Sequence, residues 1–431
     1  MSLRLAYIAA GAAGMYCGSC IHDNTLARAL IRKGVDVALV PTYTPIRTDE
    51  EDVSEDRVFF GGINVYLQHK SAIFRHTPWM MDRLLDKRGL LNSLGRFSGS
   101  TSAEDLGGLT VSMLEGAEGP HAKELDKLLI WLRDFKPDIV QLTNSMFLGF
   151  AKPIQDALGI PVLVAFQGED IFLDALDEPY RTQARDLMIK HAPDTSGFIA
   201  TCSYYSRFMA DYVQIPEDRI DVIPLGIDLE GHGVDHLPAA AGEFRIGYLA
   251  RVCPEKGLHV LAEAFKQLVE ANPGRKLTLH IAGWLGKRDE AYYEGVREQL
   301  SSWGLMDRVT TQHDFSREEK VAFLSSIDVL SVPTPYREPK GRFVLEAMAN
   351  GVPVVQPDHG SYPDYIERTG AGIVIPEPAP DAVARGIQEL MDDEPRRQEM
   401  SELGRKGVAE YYTDDRMADD TMTVYKRHLE R

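Results

Sequence analysis

Cysteine is scarce in this chain, which has only four among 431 residues. Four are too few for a disulfide scaffold of this length, so the count favours a reducing compartment and a cytoplasmic protein. No stretch of about 18 uncharged apolar residues occurs, which excludes a membrane-spanning helix. Positive charge is in deficit too, because 47 Lys and Arg stand against 65 Asp and Glu, for a net charge of -18. Such a surface repels phosphate backbones, so nucleic acid is not an expected partner.

Apolar runs and helical patterns alternate along the chain. The first unit is an apolar run at Leu3–Ala10, a glycine loop, a helical segment that Gly34 ends, and a second apolar run, "VDVALVP". Strand, loop, helix and strand in this order form the unit of a parallel sheet. Periodicity is lost over residues 226–243 and a second series follows, so we predict an α/β protein with two doubly wound Rossmann-like domains. The predicted parts are a first domain (1–225), a linker (226–243), a second domain (244–410) and a terminal helix (411–431).

Ligands of doubly wound sheets bind at the carboxyl ends of the strands, so the loops there are candidate sites. In "PTPYREPKGRFVLEAMANGVPVVQP", Glu338 stands in a loop after a strand and Glu346 about one turn inside the next helix. Gly341 opens that helix and lets a ligand approach the backbone closely. We expect the first N–H groups of the helix to be unpaired and to suit a phosphate. They belong to Arg342, Phe343 and Val344.

A second candidate stretch is "LARVCPEKG", in which Arg251 follows a strand and Lys256 precedes a helix. Two cations at a strand end, in an acidic chain, suggest an anion site, and a departing diphosphate needs such neutralisation. No Asp-x-Asp and no histidine pair at ligand spacing is present. We therefore expect neither a metal nor a cofactor. Each stretch alone also fits ordinary surface residues, and it is their agreement that supports an anion site.

The loop "GAAGMYCGSCIHDN", residues 11–24, holds Cys17 and Cys20 at a strand–helix junction. Alone, this Cys-x-x-Cys pair suggests a redox dithiol. No second pair completes a zinc site, and the loop lacks the Gly-x-Gly-x-x-Gly spacing of a dinucleotide-binding oxidoreductase. We interpret it as a loop whose glycines let the backbone pass close to a ligand.

The residues from Arg251 to Gly257 and the pattern "E-x-x-G-x-x-x-L-E-A-M-A-x-G-x-P-V-V" resemble the retaining glycosyltransferases of the GT-B fold, sequence family four (group 1 glycosyl transferases). The resemblance covers nearly the whole chain and is most specific from Glu338 to Val355. It implies two Rossmann-like domains that face a central cleft, with a C-terminal helix crossing back to the first domain. It implies metal-independent, retaining transfer of a hexosyl group from a nucleotide sugar to a carbohydrate, lipid or small-molecule acceptor.

The resemblance also implies roles for single residues. Arg251 and Lys256 would hold the donor diphosphate, and Glu338 would contact the donor sugar near its reacting carbon. Glu346 would bind the ribose hydroxyls. The other implied donor-binding residues are Gly18, Gly341, Arg342, Phe343 and Val344. The predicted acceptor-side and sugar-side residues are Gly14, His22, Asn24, Gln167, Glu169 and Asp170, of which the resemblance itself implies His22.

The chain departs from the family pattern at several positions. Gln167 replaces a frequent histidine and cannot act as a general base, although it can still hydrogen-bond a sugar. In "GSYPD", Ser361 stands where the family usually has glycine. Lys340 and Arg342 add two charges beside the diphosphate site, which fits either an acidic substrate or stronger phosphate binding.

Other functions stay open at this point. A nucleotide-sugar epimerase or hydrolase of the same fold and a non-catalytic sugar-nucleotide-binding protein are the alternatives. Residues 74–97 read as a basic amphipathic helix, which fits packing on the first domain, an acceptor-binding surface or peripheral contact with the inner face of the membrane.

Overall fold

The computed structural model describes residues 2–11, 18–42, 44–46, 48–55, 103–234 and 242–430. Gly14, Cys17 and the predicted helix of residues 74–97 lie outside these ranges. The chain forms two compact units. Unit 1 contains Met1–Gly226 and Asp414–Arg431, and unit 2 contains Ile227–Thr413.

Unit 1 is built on a six-stranded parallel sheet with the strand order β2-β1-β3-β4-β5-β6. After β2 the chain returns to the other side of β1, so the order reverses between β1 and β3. The strands are β1 (Arg4–Ala9), β2 (Asp36–Pro41), β3 (Ile139–Leu142), β4 (Val162–Phe166), β5 (Gly197–Ala200) and β6 (Ile220–Val222). The helices are α1 (Gly18–Arg32), α2 (Ala103–Leu114), α3 (Ala122–Phe135), α4 (Leu148–Leu158), α5 (Asp170–Asp174), α6 (Tyr180–His191) and α7 (Ser203–Tyr212).

Both faces of this sheet are buried, as the continuous apolar runs predict. Along β1, Ala6 and Ile8 enter the core cluster that includes residues of α3, α4, α6 and α7. Leu5, Tyr7 and Ala9 enter a second cluster with residues of α1 and the terminal helix. The sheet therefore lies between two helical layers.

The terminal helix α15 (Asp414–Leu429) packs on α1 and belongs to unit 1. Its first turn is acidic and its last turn basic, which suits the helix dipole. Arg32 pairs with Asp414 at 2.6 Å, and Arg427 near the other end pairs with Asp221. In the core, the Tyr425 hydroxyl donates to Gln141 Oε1. Ion pairs at both ends and a buried hydrogen bond thus hold the helix.

Unit 2 repeats the arrangement, with the order β12-β11-β10-β7-β8-β9. The two parallel sheets confirm the α/β fold. The strands are β7 (Glu243–Leu249), β8 (Lys276–Ala282), β9 (Val309–Gln312), β10 (Val329–Leu330), β11 (Val354–Pro357) and β12 (Gly372–Ile375). The helices are α8 (Leu258–Ala271), α9 (Glu290–Ser302), α10 (Arg317–Ser325), α11 (Arg342–Ala349), α12 (Tyr362–Thr369), α13 (Pro380–Asp392) and α14 (Glu394–Tyr411).

The hydrogen bond of Tyr425 gives a first prediction. Tyr425→Phe leaves a buried amide oxygen without its donor, which costs about 1–3 kcal/mol. We expect the midpoint of thermal unfolding to fall by several degrees. Tyr411→Phe is the control, because Tyr411 packs under Arg368 away from this core and should melt like the wild type. Equal melting of both variants would mean that this bond contributes nothing.

Candidate functional site

The strand order of unit 2 reverses between β7 and β10, which pair directly. From β7 the chain runs outward through β8 and β9, and from β10 it runs the other way through β11 and β12. Loops that leave two such strands diverge, so a crevice opens at their carboxyl ends. The loop after β7 carries Arg251 and Lys256, and the loop after β10 carries Glu338.

Gly257 brings these two loops into contact. It adopts a φ of 72°, and a Cβ on it would lie 2.0 Å from the carbonyl oxygen of Pro333. No other residue fits there without moving the backbone. Lys256, the preceding residue, is therefore held against the loop that follows β10.

Lys256 and Glu338 form an ion pair at this contact, in which Nζ donates to Oε2. The N–H groups of Lys340 and Gly341 each lie 3.3 Å from the other oxygen, Oε1. Glu338 is only 7% exposed. Burial alone would raise the pKa of Glu338, but Lys256, Lys340 and the Gly341 N–H together lower it to about 2. This carboxylate is therefore ionised and accepts protons poorly at neutral pH.

Gly341 precedes α11 in the left-handed conformation, with a φ of 54° and no side-chain cap on the helix. The N-terminus of α11 thus keeps the character of an anion site. The expectation that Val344 has an unpaired N–H is wrong, because this group donates to the Gly341 carbonyl at 2.9 Å. Phe343 lies beside Lys256, with Nζ 5.9 Å from the ring centre.

Glu346 is bound by two cations. Its Oε1 accepts from Lys320 Nζ at 2.8 Å and from Arg342 Nε at 3.0 Å, and the three side chains are at most 13% exposed. Lys320 was not among the residues predicted from the sequence. Lys320 and Leu324 are four residues apart, lie on one face of α10 and are both buried. A lysine at helical spacing from a buried leucine was the sequence feature that could have indicated a buried cation. A ribose hydroxyl at Glu346 would share the carboxylate with these cations, and the ribose role stays a prediction.

Arg251 stands among acidic groups at the β7 end. Burial by itself would lower the pKa of Arg251, but Cys253, Glu255 and Asp289 raise it above its ordinary value. Asp289 lies just before α9 and is 6% exposed. Arg251 therefore stays charged.

In unit 1, the buried carboxylate of Asp23 organises the polar groups where the strand order reverses. Asp23 accepts hydrogen bonds from the Tyr7 hydroxyl at 2.6 Å, the Thr143 hydroxyl at 2.6 Å and Gln167 Nε2 at 2.7 Å. His22 Nδ1 lies 3.4 Å away. Gln167 Nε2 also donates to the Thr143 carbonyl at 2.9 Å, so a reversed amide would set oxygen against two acceptors. The orientation of Gln167 is therefore fixed.

Asp23 was also not among the residues predicted from the sequence. Asp23, Ala27 and Leu30 share one buried face of α1, so an acidic residue on an apolar helical face was the signal. Its partners Thr143 and Gln167 lie 120 and 144 residues away in sequence, and no local pattern connects them.

The other predicted residues of unit 1 have local contacts. Glu169 accepts from the Ser145 hydroxyl at 2.6 Å and from the Gln167 N–H at 2.7 Å. Tyr205 donates to Asp170 at 2.7 Å. Asn24 is fully buried and binds backbone groups of residues 51 and 53.

Gly18 is the exposed first residue of α1, and a Cβ on it would meet no other described atom within 4 Å. The structure thus brings His22, Gln167 and Glu169 together in unit 1. It brings Lys256, Glu338 and Gly341 together in unit 2. Their roles toward a ligand stay predictions.

The described ranges contain neither a membrane-spanning helix nor a cluster of metal ligands. No helix there combines the length and apolar character needed to cross a bilayer. In the same part of the chain, no three His, Cys, Asp or Glu side chains are grouped so that they could hold a metal ion.

Two known protein families match this chain, one in each half. Residues 235–407 match the family "Glycosyl transferases group 1", and residues 113–230 match "Glycosyltransferase Family 4". Together the two matches cover more than half of the sequence.

Two curated relatives illustrate the similarity. A GDP-mannose-dependent alpha-(1-6)-phosphatidylinositol monomannoside mannosyltransferase of Mycobacterium tuberculosis is 26% identical over 54% of this chain and 62% of its own length. A D-inositol 3-phosphate glycosyltransferase of Nocardia farcinica is 26% identical over 49% of this chain and 48% of its own. The chain therefore spans less than two thirds of the length of these relatives.

Solved structures agree on the fold. Sucrose-phosphate synthase from Thermosynechococcus elongatus superposes with a TM-score of 0.72 at 16% identity, covering 99% of both chains. Anabaena HepE in complex with UDP and glucose gives a TM-score of 0.67 at 14% identity, covering 99% of this chain and all of the other.

The low pKa of Glu338 predicts a pH-dependent contribution to stability. The pKa near 2 in the fold lies below the unfolded value of about 4.3, so the ionised carboxylate stabilises the fold above about pH 4.5. That contribution is lost as the pH falls toward 2. We expect Glu338→Gln to melt below the wild type at neutral pH, with a difference that narrows below about pH 4.5. Melting curves of both proteins over this range provide the measurement, and a constant difference would contradict the assignment.

Proposed function

The chain belongs to the group 1 glycosyltransferases, and on that premise we propose that it transfers a sugar from a nucleotide-diphosphate sugar to an acceptor hydroxyl. The observation that carries the proposal is the Lys256–Glu338 pair beside the N-terminus of α11. A cation, a carboxylate and helix-start N–H groups together suit a ligand that has a diphosphate next to a sugar.

The diphosphate is bound by unit 2 in this proposal. Arg251, Lys256 and the start of α11 neutralise its charge, which matters most as it leaves the sugar. In the structure Lys256 Nζ donates a hydrogen bond to Glu338. A diphosphate that draws Lys256 toward itself lets Glu338 accept a hydrogen bond from a hydroxyl of the donor sugar.

We propose a retaining, metal-independent reaction. Glu338 has a pKa of about 2 and is a poor base, and Gln167 cannot serve as one. Asp23 and Glu169 already accept several hydrogen bonds each. The departing phosphate is then the group that takes the proton of the acceptor hydroxyl on the same face. The cations of unit 2 supply the neutralisation that a metal ion would otherwise provide.

The substrates follow from the relatives only as proposals. Both curated relatives carry names of enzymes that act on inositol-containing acceptors, one of them with GDP-mannose. We propose a hexosyl donor and a carbohydrate, lipid or small-molecule acceptor, for a protein of the cytoplasm. A donor-only assay separates transfer from the alternatives, because a hydrolase releases nucleotide without acceptor and an epimerase converts the sugar.

The diphosphate role of Lys256 predicts a large kinetic effect. Lys256→Ala removes a charge that stabilises the leaving group, so we expect turnover to fall about a hundredfold, as for one oxyanion contact. Lys256→Arg, which keeps the charge, should lose less. Lys266→Ala, on the exposed side of α8 in the same unit, is the matched control. Near-normal turnover of folded Lys256→Ala would contradict the diphosphate assignment.

The sugar-side role of Glu338 predicts a different pattern. Glu338→Gln should reduce transfer at least tenfold, because an amide is a weaker acceptor for a sugar hydroxyl than a carboxylate. Its affinity for the nucleoside diphosphate should be at least that of the wild type, since Lys256 is retained and no longer paired with a carboxylate. Calorimetric titration with the nucleotide, beside the transfer assay, tests both statements. A loss of nucleotide affinity equal to the loss of turnover would count against this role.

A further inference from the structure

The loop after β11 packs against the backbone of Glu338 and donates a hydrogen bond to it. Gly360 has a φ of 63°, and a Cβ on it would lie 2.2 Å from the Glu338 carbonyl oxygen. The N–H of Ser361 donates to the same oxygen at 2.9 Å. The position of Ser361 is therefore fixed relative to the start of α11.

The hydroxyl of Ser361 lies at that helix start. A Cβ built on Gly341 would come within 3.0 Å of Ser361 Oγ. Ser361 is fully buried, and its Oγ has no hydrogen-bond partner within the described parts of the chain. Although Ser361 occupies the N-cap position of α12, its side chain makes no cap hydrogen bond. A buried hydroxyl without a partner is unfavourable for folding, so its retention needs a reason.

The neighbouring hydroxyls on α12 have hydrogen-bond partners, unlike the hydroxyl of Ser361. The Tyr362 hydroxyl lies 3.1 Å from Thr334 Oγ1, and the Tyr365 hydroxyl donates to the Lys340 carbonyl at 2.6 Å. A serine hydroxyl rotates and can donate to any acceptor that arrives. The ligand that suits this place is an oxyanion, because an uncapped helix N-terminus attracts negative charge.

We propose that Ser361 Oγ donates a hydrogen bond to a phosphate oxygen of the nucleotide-sugar donor bound at the start of α11. The inference rests on the proposed function and adds a donor-binding residue at a position where the family pattern has glycine. In the free protein the unpartnered Ser361 hydroxyl lowers the free energy of unfolding, and in the complex the same hydroxyl binds the phosphate.

Ser361→Ala tests this with two readouts that move in opposite directions. Without ligand, the variant should melt at the wild-type temperature or higher, because an unsatisfied buried group is removed. Its dissociation constant for the nucleoside diphosphate that binds the wild type, chosen from UDP, GDP, ADP and CDP, should rise about tenfold. Calorimetric titration and thermal melting provide the values.

Ser331→Ala is the matched control. Ser331 is also fully buried, but its Oγ donates to the Val355 carbonyl at 2.8 Å. This variant should therefore melt at a lower temperature and bind the nucleotide as the wild type does. Ser361→Cys, which retains a weak donor, should have an intermediate affinity.

The outcomes separate the inference from the proposed function. If the wild type binds nucleoside diphosphates and Ser361→Ala binds them equally well, the inference is overturned and the function stands. A melting temperature lowered as in Ser331→Ala, with unchanged affinity, also overturns it by showing a structural role. If the wild type binds none of the nucleotides, both the proposed function and the inference fail.

Discussion

The ion pair between partly buried Lys256 and buried Glu338 is the contact on which the rest of the site depends. It joins the loops of two neighbouring strands, β7 and β10, at the point where the strand order reverses. The buried carboxylate of Glu338 cannot lose its partner cheaply, because a single buried charge left alone destabilises a fold by about 3–5 kcal/mol. A ligand that draws Lys256 away must therefore give Glu338 another partner. In the proposed function a hydroxyl of the donor sugar is that partner, and the diphosphate pairs with Lys256.

Glycine makes this contact possible. Gly257, Gly341 and Gly360 all have positive φ values, and a Cβ on each would lie between 2.0 and 3.0 Å from another atom. Gly257 closes the loop after β7 onto that after β10, and Gly360 closes the loop after β11 onto Glu338. These close backbone contacts place an ion pair, a helix N-terminus and the Ser361 hydroxyl in one small region.

The sequence predicts the fold and the Glu338–Glu346 stretch because both depend on patterns between residues that are close in sequence. Apolar runs that alternate with helical periodicity indicate parallel sheets, and the stretch around Glu338 and Glu346 has fixed spacing. Lys320, Asp23 and Ser361 were not predicted as site residues, because each depends on a partner or a neighbour distant in sequence. A charged residue on an apolar helix face indicates that a buried polar or charged group binds it. The pattern does not identify which residue supplies that group. The orientation of Gln167 likewise depends on Asp23, 144 residues away.

The charges of the two units differ in a way that bears on mechanism. In unit 1, Asp23 and Glu169 are buried and their oxygens accept hydrogen bonds from the surrounding loops. They stabilise local structure, and using one as a base would break the contacts that fix Gln167 and its loop. In unit 2, Arg251, Lys256 and the N-terminus of α11 would all stabilise negative charge in the proposed reaction. A reaction that relies on such groups is driven by stabilising a leaving phosphate, and that phosphate gains basicity as its bond to the sugar breaks. In the proposed retaining reaction, the proton of the acceptor thus has a destination that requires no protein base.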